Sequence, residues 1–287
     1  MSFIQENLGN IVRLYTSLLP SRLGVQVEYF RKFNRLPDLN SPKTFTEKIA
    51  WRKLYQQDRR HVNWSDKLYS KEKVSEMFGS NYCLENLWVG SNPENIPFES
   101  LIPPYVIKTN NGSHDQTFVR DKNYSKESIV SYYKTVFKRK FGYKTHEYQY
   151  TKIVPKIFVE PMMLCANNQP PIDYKFHIFS GSVEFIQVDL DRFQGQKRAI
   201  YSKTWNRLPF SLLYPNYEGE VEKPTCFDDM LRMTEKIGSQ FDYARVDFYE
   251  YEGRAIFGEV SFTHGAGYEK FLPEHYDSVY GSKWIHG

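Results

Sequence analysis

The sequence predicts an α+β protein in which a mainly helical first part precedes antiparallel β-hairpins. Helix caps stand before apolar residues at helical spacing in the first part of the chain. Beyond residue 156, two segments alternate polar and apolar residues on both sides of a turn, as hairpins do. The chain has 287 residues, a length on the order of two domains. The chain is therefore long enough to hold a large core and a cleft.

The composition narrows the class of protein. Hydrophobic residues make up 40% of the chain and aromatic residues 17%, which excludes a disordered protein. The net charge of +4 is not concentrated in a basic segment, so nucleic acid is not an expected partner. The three cysteines and seven histidines lack disulfide or zinc-ligand spacing. No segment approaches the length of a transmembrane span, and we expect a cytoplasmic protein.

Helices are predicted first along the chain. Thr44 and Glu47 have the spacing of a capping box, which predicts a helix that follows directly. Ser65 is the expected cap of a second helix, which ends before Gly79. Region 1–102 is therefore interpreted as mainly helical.

A strand, a loop and a second strand are predicted next. The apolar strand 105–108 ends at Lys108, and the loop 110–113 that follows can present backbone N–H groups to phosphate. The loop lacks the spacing of a P-loop. An exposed lysine at the end of a strand is the alternative interpretation. Caps, periodicity and turn residues then predict a helix over 125–142, a strand over 156–162, a hairpin over 173–191 and a helix over 227–237.

The last hairpin, within 245–267, brings carboxylates together if its loop has three residues, including Gly253. That register places Arg245, Asp247, Tyr249, Glu259, Ser261 and Thr263 on one face, and Val246, Phe248, Ile256, Val260 and Phe262 on the other. Asp247 and Glu259 would repel unless a cation or a proton lay between them. A magnesium-nucleotide site is one interpretation. The alternative is a solvated rim in which both pair with Arg245 or Arg254.

Other charged residues leave alternatives open. Asp173 and Lys175 alternate on a strand and point to one side, with Glu160 upstream, so they form either a site or a simple ion pair. Asp189 and Asp191 match the DxD pattern by which many glycosyltransferases hold a metal and a nucleotide sugar. His264 lies in a loop of small residues, where a turn and a ligand contact are both possible.

Taken in order, these segments resemble the ATP-grasp family related to the teichuronopeptide biosynthesis protein of bacterial polysaccharide gene clusters. The resemblance extends from about residue 33 to 284. Its carriers are SPKTFTEKIAWRKLY (41–55), SDKLYSKEKV (65–74), PYVIKTNNGS (104–113), IDYKFHIFSG (172–181), RVDFYEYEGRAIFGEVSFTHGAG (245–267) and FLPEHYDSVYGSKW (271–284).

The resemblance implies an ATP-grasp fold, in which two α+β modules with antiparallel sheets clamp ATP. It divides the chain into a mainly helical N-terminal region (1–102), a lid module (103–160) and a C-terminal module with the metal-nucleotide site (161–287). The N-terminal region departs from the pattern, because many relatives have a βαβ substrate domain there. ATP and Mg²⁺ are the implied cofactors.

The resemblance also assigns nucleotide contacts. Lys108 resembles the lid lysine that contacts the ATP phosphates, with Gly112 and Ser113 in the loop above them. Glu160 resembles the start of the hinge whose backbone binds adenine. The ribose-contacting acidic position corresponds to Asp173, and Lys175 would reach the phosphates and act in catalysis.

Further assignments concern the metal and the reacting group. Asp247 and Glu259 match the two magnesium-binding carboxylates. Ser261 stands where many ATP-grasp enzymes have an asparagine, and it is the implied third ligand. Arg198 would stabilise an acyl phosphate or a tetrahedral intermediate.

The implied activity is that of an ATP-dependent carboxylate–amine ligase acting through an acyl phosphate. The implied substrates are a uronic-acid carboxylate of a bacterial capsule or cell-wall polysaccharide and an amino acid or other amine. Peripheral association with a polysaccharide assembly system is also implied. The alternatives are a glycosyltransferase using Asp189 and Asp191, a sugar phosphotransferase using the same nucleotide site, and an inactive relative that binds anionic glycan.

Overall fold

The computed structural model describes residues 19–113, 115–139, 141–165, 169–190 and 195–285. The helices are α1 (Ser21–Phe33), α2 (Phe45–Tyr55), α3 (Arg59–Ser65), α4 (Lys67–Phe78), α5 (Lys126–Lys138), α6 (Tyr148–Thr151), α7 (Phe227–Gly238) and α8 (His275–Lys283). The strands are β1 (Trp88–Gly90), β2 (Tyr105–Thr109), β3 (Thr117–Val119), β4 (Ile157–Pro161), β5 (Asp173–Phe179), β6 (Ser182–Leu190), β7 (Lys197–Tyr201), β8 (Ser211–Leu212), β9 (Tyr243–Tyr251), β10 (Arg254–Ser261) and β11 (Phe271–Leu272).

The N-terminal helices follow their caps, with one correction. The capping box of Thr44 and Glu47 is confirmed at the start of α2. The cap of α4, however, is Asp66, whose carboxylate accepts hydrogen bonds from the next backbone N–H groups. The prediction of Ser65 was wrong because the short helix α3, capped by Asp58, precedes α4 and ends at Ser65. None of the helices within the described ranges is long and apolar enough to cross a membrane.

The smaller sheet has four antiparallel strands in the order β1-β4-β2-β3. Helix α5 packs on it, and the core between them includes Tyr105, Ile107, Tyr133 and Val159. Strand β1 and the packed residues Ile96, Phe98 and Leu101 belong to this sheet and core although they precede residue 103. The division of the chain at 102/103 stays a prediction.

The larger sheet has five antiparallel strands in the order β10-β9-β5-β6-β7. One of its faces is apolar and packs under α7, in the core that contains Phe176, Val246, Phe248, Val260, Met230, Met233 and Ile237. Helix α2 packs against α8, and the backbone N–H of Thr46 donates to Asp277 of that helix at 2.9 Å. The other face of the sheet carries the charged residues.

The hairpin of β9 and β10 differs from its prediction in loop length. The loop has two residues, Glu252 and Gly253, with φ of 52° and 70°, because Arg254 pairs with Tyr251. A bulge at Gly258 then shifts the register, so that Glu259 lies opposite Asp247 as predicted. A Cβ at Gly258 would lie 3.1 Å from the Asp247 carbonyl oxygen, so a small residue suits the bulge.

One side chain therefore changes face. Ile256 lies opposite Tyr249, on the charged face, whereas a three-residue loop assigns it to the apolar face. Phe257 takes the apolar place opposite Phe248. Because of the bulge, the strand β10 has the predicted alternation from Glu259 onward but not between the loop and Gly258.

Candidate active site

Three cross-strand rows form the charged face of the larger sheet, because residues directly opposite in antiparallel strands share a face. The first row is Arg198, Asp189, Asp173 and Tyr249. The second row is Gln187, Lys175, Asp247 and Glu259. The third row is Phe185, His177, Arg245 and Ser261.

Lys175 lies at the centre of this face. Its ammonium donates to Asp173 and, at 2.8 Å, to Asp247 Oδ2, and it lies 3.9 Å from Asp189 Oδ2. Burial alone would lower the pKa of Lys175, but the carboxylates of Asp173 and Asp247 raise it above its ordinary value. Lys175 is therefore held charged beside three carboxylates.

Arg245 joins the two carboxylates proposed for magnesium. Its Nε and Nη2 donate to Asp247 at 2.7 and 2.8 Å, and Nη2 also donates to Glu259 at 2.9 Å. Burial opposes the charge of Arg245, but Asp247 and Glu259 raise its pKa well above the ordinary value. Asp247 is only 2% exposed, so the solvated-rim interpretation is wrong for this residue. The pairing with Arg245 that this interpretation included is observed. Arg254 pairs with Glu252 instead.

Lys67, at the start of α4, extends the network toward the loop after Lys108. Its ammonium donates to Glu259 Oε2 at 3.0 Å and to the Gly112 carbonyl at 2.7 Å. Burial would raise the pKa of Glu259, but Lys67 and then Arg245 lower it to about 2. Sequence reasoning missed Lys67 as a site residue. The available signal is its place in SDKLYSKEKV, one of the segments on which the family resemblance rests.

Glu160 lies on β4 between two lysines. Its carboxylate accepts hydrogen bonds from Lys108 and, at 3.1 Å, from Lys71, which also donates to Asn86 at 2.7 Å. Burial would raise the pKa of Glu160, but Lys108 and Lys71 keep it below the ordinary value. Lys108 is thus held at the sheet by Glu160 rather than left exposed at a strand end. Sequence reasoning did not identify Lys71.

The loop after Lys108 is closely packed at Gly112 and exposed to solvent at Ser113. Gly112 is buried, and a Cβ there would lie 2.1 Å from Asp115 Oδ2 and 2.5 Å from Thr109 Oγ1. Ser113 is exposed. The Asn110 carbonyl accepts from the backbone N–H of Lys67 at 3.0 Å, which ties this loop to α4.

An apolar cavity of about 200 Å³ lies beyond the end of β4. Its lining is Phe118, Arg120, Met162, Met163, Leu164 and Pro170. The segment after Glu160 supplies most of this lining, which sequence reasoning did not predict. A flat aromatic group suits such a lining, because apolar side chains cover its faces and the neighbouring backbone can bind its edge.

Arg198 lies at the opposite end of the charged face. Its Nε donates to Asp189 at 2.7 Å, and its Nη1 donates to the Leu212 carbonyl at 2.9 Å and to Glu269. Asp189, the first residue of the DxD pattern, is thus paired with Arg198, while Asp191 lies outside the described residues. Ser261 lies on the same face, and its side chain contacts Tyr150 through a hydrogen bond.

The carboxylate pair is suited to a divalent cation. The Lys175 ammonium contacts Asp247 Oδ2 and the Lys67 ammonium contacts Glu259 Oε2, so each carboxylate already has a cation beside it. Within the described ranges, no cluster of three or more His, Cys, Asp or Glu side chains is arranged to hold a metal. The residues fit a cation that brings other ligands with it, such as phosphate oxygens and water.

Comparison with solved structures finds two ligases to which this chain is similar. The crystal structure of D-alanine–D-alanine ligase from Bacillus anthracis has 16% identity and a TM-score of 0.45, over 77% of this chain and 64% of that one. The L-amino acid ligase from Bacillus licheniformis has 12% identity and a TM-score of 0.48, over 90% of this chain and 57% of that one. This chain thus spans 57% to 64% of the length of these two structures. No curated protein matches it.

A family model supplies the assignment. The model described as TupA-like ATPgrasp matches residues 47–285, which include both sheets and every residue of the charged face. The ATP-grasp fold expected from the ordered motifs is therefore confirmed. This chain belongs to the TupA-like ATPgrasp family.

Proposed function

We propose that this protein is an ATP-dependent carboxylate–amine ligase, which activates a carboxylate as an acyl phosphate and transfers it to an amine. The observation that carries the proposal is the placement of Asp247 opposite Glu259, joined by Arg245 and flanked by Lys175 and Lys67. Membership of an ATP-grasp family supports nucleotide binding at this place.

The nucleotide would lie between the two sheets. Its base would enter the cavity lined by Met162 and Met163, beyond Glu160. Asp173 would contact the ribose, while Lys108 and Lys175 would contact the phosphates, with Gly112 and Ser113 in the loop above. Lys67 reaches both this loop and Glu259, so it would approach the phosphates from the side of α4.

Magnesium would be held by Asp247 and Glu259, with Ser261 as the proposed third ligand. When bound with ATP, it would neutralise negative charge on the phosphate oxygens. Lys175 and Lys67 already contact the carboxylates, and their charge would then be available to the phosphates.

The chain's own residues would act by position and charge rather than as covalent nucleophiles. Arg198 and Arg245 present guanidinium groups on one buried face, where a preorganised cation stabilises developing negative charge effectively. Closure of the loop after Lys108 would exclude water, which would otherwise hydrolyse an acyl phosphate.

The identity of the two substrates is proposed from the family resemblance, in addition to the geometry of the site. We propose a uronic-acid carboxylate of a bacterial capsule or cell-wall polysaccharide, or its precursor, and an amino acid or other amine. The ordered motifs shared with the polysaccharide-cluster family support it. The Tyr214 ring, whose centroid is 4.7 Å from the Arg198 guanidinium carbon, would lie beside a sugar carboxylate bound there. Under this proposal the protein works in the cytoplasm, in peripheral association with a polysaccharide assembly system.

Product analysis tests the proposal. The purified chain is incubated with Mg-ATP, glucuronate or galacturonate, and a panel of amino acids, and ADP release and the amide product are measured by mass spectrometry. We expect ADP formation that depends on both substrates. Phosphate retained on the sugar would indicate the phosphotransferase instead, and a chain that binds no nucleotide would refute the ligase.

A further inference from the structure

A loop after β10 crosses the charged face and joins its two arginines. It begins with the 3₁₀ turn His264–Gly267 and leads through Glu269 into β11. The His264 ring packs edge-on against His177 in the third row, with centroids 4.7 Å apart. Glu269 reaches Arg198 in the first row. The loop thus spans the face from β9 to β7.

The polar contacts made by this loop form a continuous bridge. Arg245 Nη1 lies 2.9 Å from His264 Nδ1, and because a guanidinium can only donate, Nδ1 must accept. In a neutral ring the proton is then on Nε2, which lies 3.1 Å from Glu269 Oε2. Glu269 Oε2 also accepts from Arg198 Nη1. Arg245, His264, Glu269 and Arg198 are therefore connected in one buried series of polar contacts, in which the His264–Glu269 contact is close but lacks hydrogen-bond alignment.

The backbone of the loop permits this close approach. Gly265 has φ of 54°, and a Cβ there would lie 2.4 Å from Glu269 Cγ, so any larger residue would displace the Glu269 side chain. The loop is also anchored from outside the bridge, since Lys53 Nζ donates to the Ala266 carbonyl at 2.8 Å. The loop is thus held in place by contacts with the rest of the fold.

The two arginines are also oriented by partners outside this loop. Asp247 and Glu259 orient Arg245, and Asp189 with the Leu212 carbonyl orients Arg198. Among the described residues, Nη2 of Arg198 has no hydrogen-bond acceptor, so this donor can bind an anion. Burial, opposed by Glu269, lowers the pKa of His264, which keeps the bridge neutral at that position.

We infer that His264 and Glu269 are positioning residues, which hold the guanidinium groups of Arg245 and Arg198 in fixed relation so that Arg198 faces the phosphoryl group being transferred. This inference rests on the proposed ligase function. It assigns to the loop a role that neither residue could perform alone, because each contacts only one of the two arginines.

Binding of a phosphoryl mimic tests the inference without the unidentified substrates. Mg-ADP is titrated first, and aluminium fluoride is then titrated at saturating Mg-ADP, for the wild-type chain, Glu269→Gln, His264→Gln and the double variant. We expect each single variant to weaken aluminium fluoride binding by about ten- to a hundredfold, as misplaced groups do. Mg-ADP affinity should change less than about threefold, because neither residue contacts the proposed ADP site.

The double variant separates a bridge from two independent effects. If His264 and Glu269 act through one another, the double variant is about as impaired as either single variant, whereas independent losses multiply. Tyr268→Phe is the matched control, since it removes a hydrogen bond to Lys53 in the same loop without touching either arginine. This control should bind aluminium fluoride like the wild type.

The outcomes are distinguishable. Wild type that binds no Mg-ADP refutes the proposed function, and the inference with it. Wild type that binds Mg-ADP but no aluminium fluoride, or single variants that bind it unchanged, overturns the inference alone. Multiplied losses in the double variant also overturn it. If Glu269→Gln does not fold, the His264→Asn variant is measured in its place. The asparagine amide oxygen can accept from Arg245, while the shorter side chain does not extend to Glu269.

Discussion

The two faces of the five-stranded sheet are both largely buried, yet they are stabilised in different ways. Phe176, Val246 and Phe248 on one face pack with other apolar side chains under α7. Asp173, Lys175 and Asp247 on the other face are equally shielded but satisfy one another by charge. Burial of apolar surface stabilises the first face without directional constraints. The second face depends on every partner being present, because an unpaired buried charge is costly.

The largest expected effect separates activity from stability. Glu259→Gln should reduce turnover by about a thousandfold, because it removes one of two carboxylates proposed to hold magnesium at the transferring group. The fold should persist, since Arg245 keeps its two bonds to Asp247. Steady-state assays and thermal unfolding measure the two effects. Glu252→Gln, at the exposed turn of the same hairpin, is the control, and equal turnover in both variants would remove Glu259 from the metal site.

The apolar face should show the opposite result. Phe248→Ala should lower the free energy of unfolding by about 3–5 kcal/mol, because it leaves a cavity among well-packed rings. Phe248 is fully buried and meets Phe176 and Phe257 edge-on. Nucleotide affinity of the folded fraction should change little. Urea unfolding and nucleotide titration test this, and a large loss of affinity with normal stability would contradict the division between faces.

The smaller sheet shows a similar contrast between two residues that pair with Glu160. Lys71 is 7% exposed and Lys108 28%, although both pair with this carboxylate. Lys71→Met should therefore destabilise the protein by about 2 kcal/mol, since it leaves a buried charge short of a partner. Lys108→Met should weaken Mg-ATP binding about tenfold with a smaller change in stability. The same two measurements apply, and a reversed order of the two variants would show that the roles are exchanged.

The smallest expected effect is a dependence on pH. In an unfolded chain a glutamate has a pKa of about 4.3, whereas in the folded protein the pKa of Glu259 is lowered to about 2. The unfolded state therefore takes up this proton first, and its contribution to stability, complete above about pH 4.3, is lost as the pH falls toward 2. Glu259→Gln should show a shallower loss of unfolding free energy over that range in urea titrations. Parallel curves for the variant and the wild type would indicate that Glu259 is not held charged.

The sequence predicted the face of each carboxylate better than the path of the backbone. The pairing of Asp247 with Glu259 was predicted because apolar alternation is strong near Val246 and Val260. The two-residue loop and the bulge were not, because two errors of one residue cancel beyond Gly258 and leave the same alternation. Ile256 lies between loop and bulge, which is why its face alone was wrong.

Long-range partners were outside the reach of sequence patterns. Lys67 lies on a helix far along the chain from Glu259, and only the packing of α4 against β10 brings them together. Glu269 likewise lies just beyond the segment 245–267 that carries the family resemblance. Its contact with Arg198 depends on how the loop after β10 crosses the sheet. Spacing predicts neighbours within a strand or helix, whereas these contacts depend on tertiary packing.

The most direct test of the proposed nucleotide site is a crystal structure with Mg²⁺ and a non-hydrolysable ATP analogue. We expect the adenine in the cavity lined by Met162 and Met163, the phosphates at Lys108 and Lys175, and the metal on Asp247 and Glu259. A nucleotide bound elsewhere, or a metal on Asp189 with Asp247 still paired to Arg245, would contradict it.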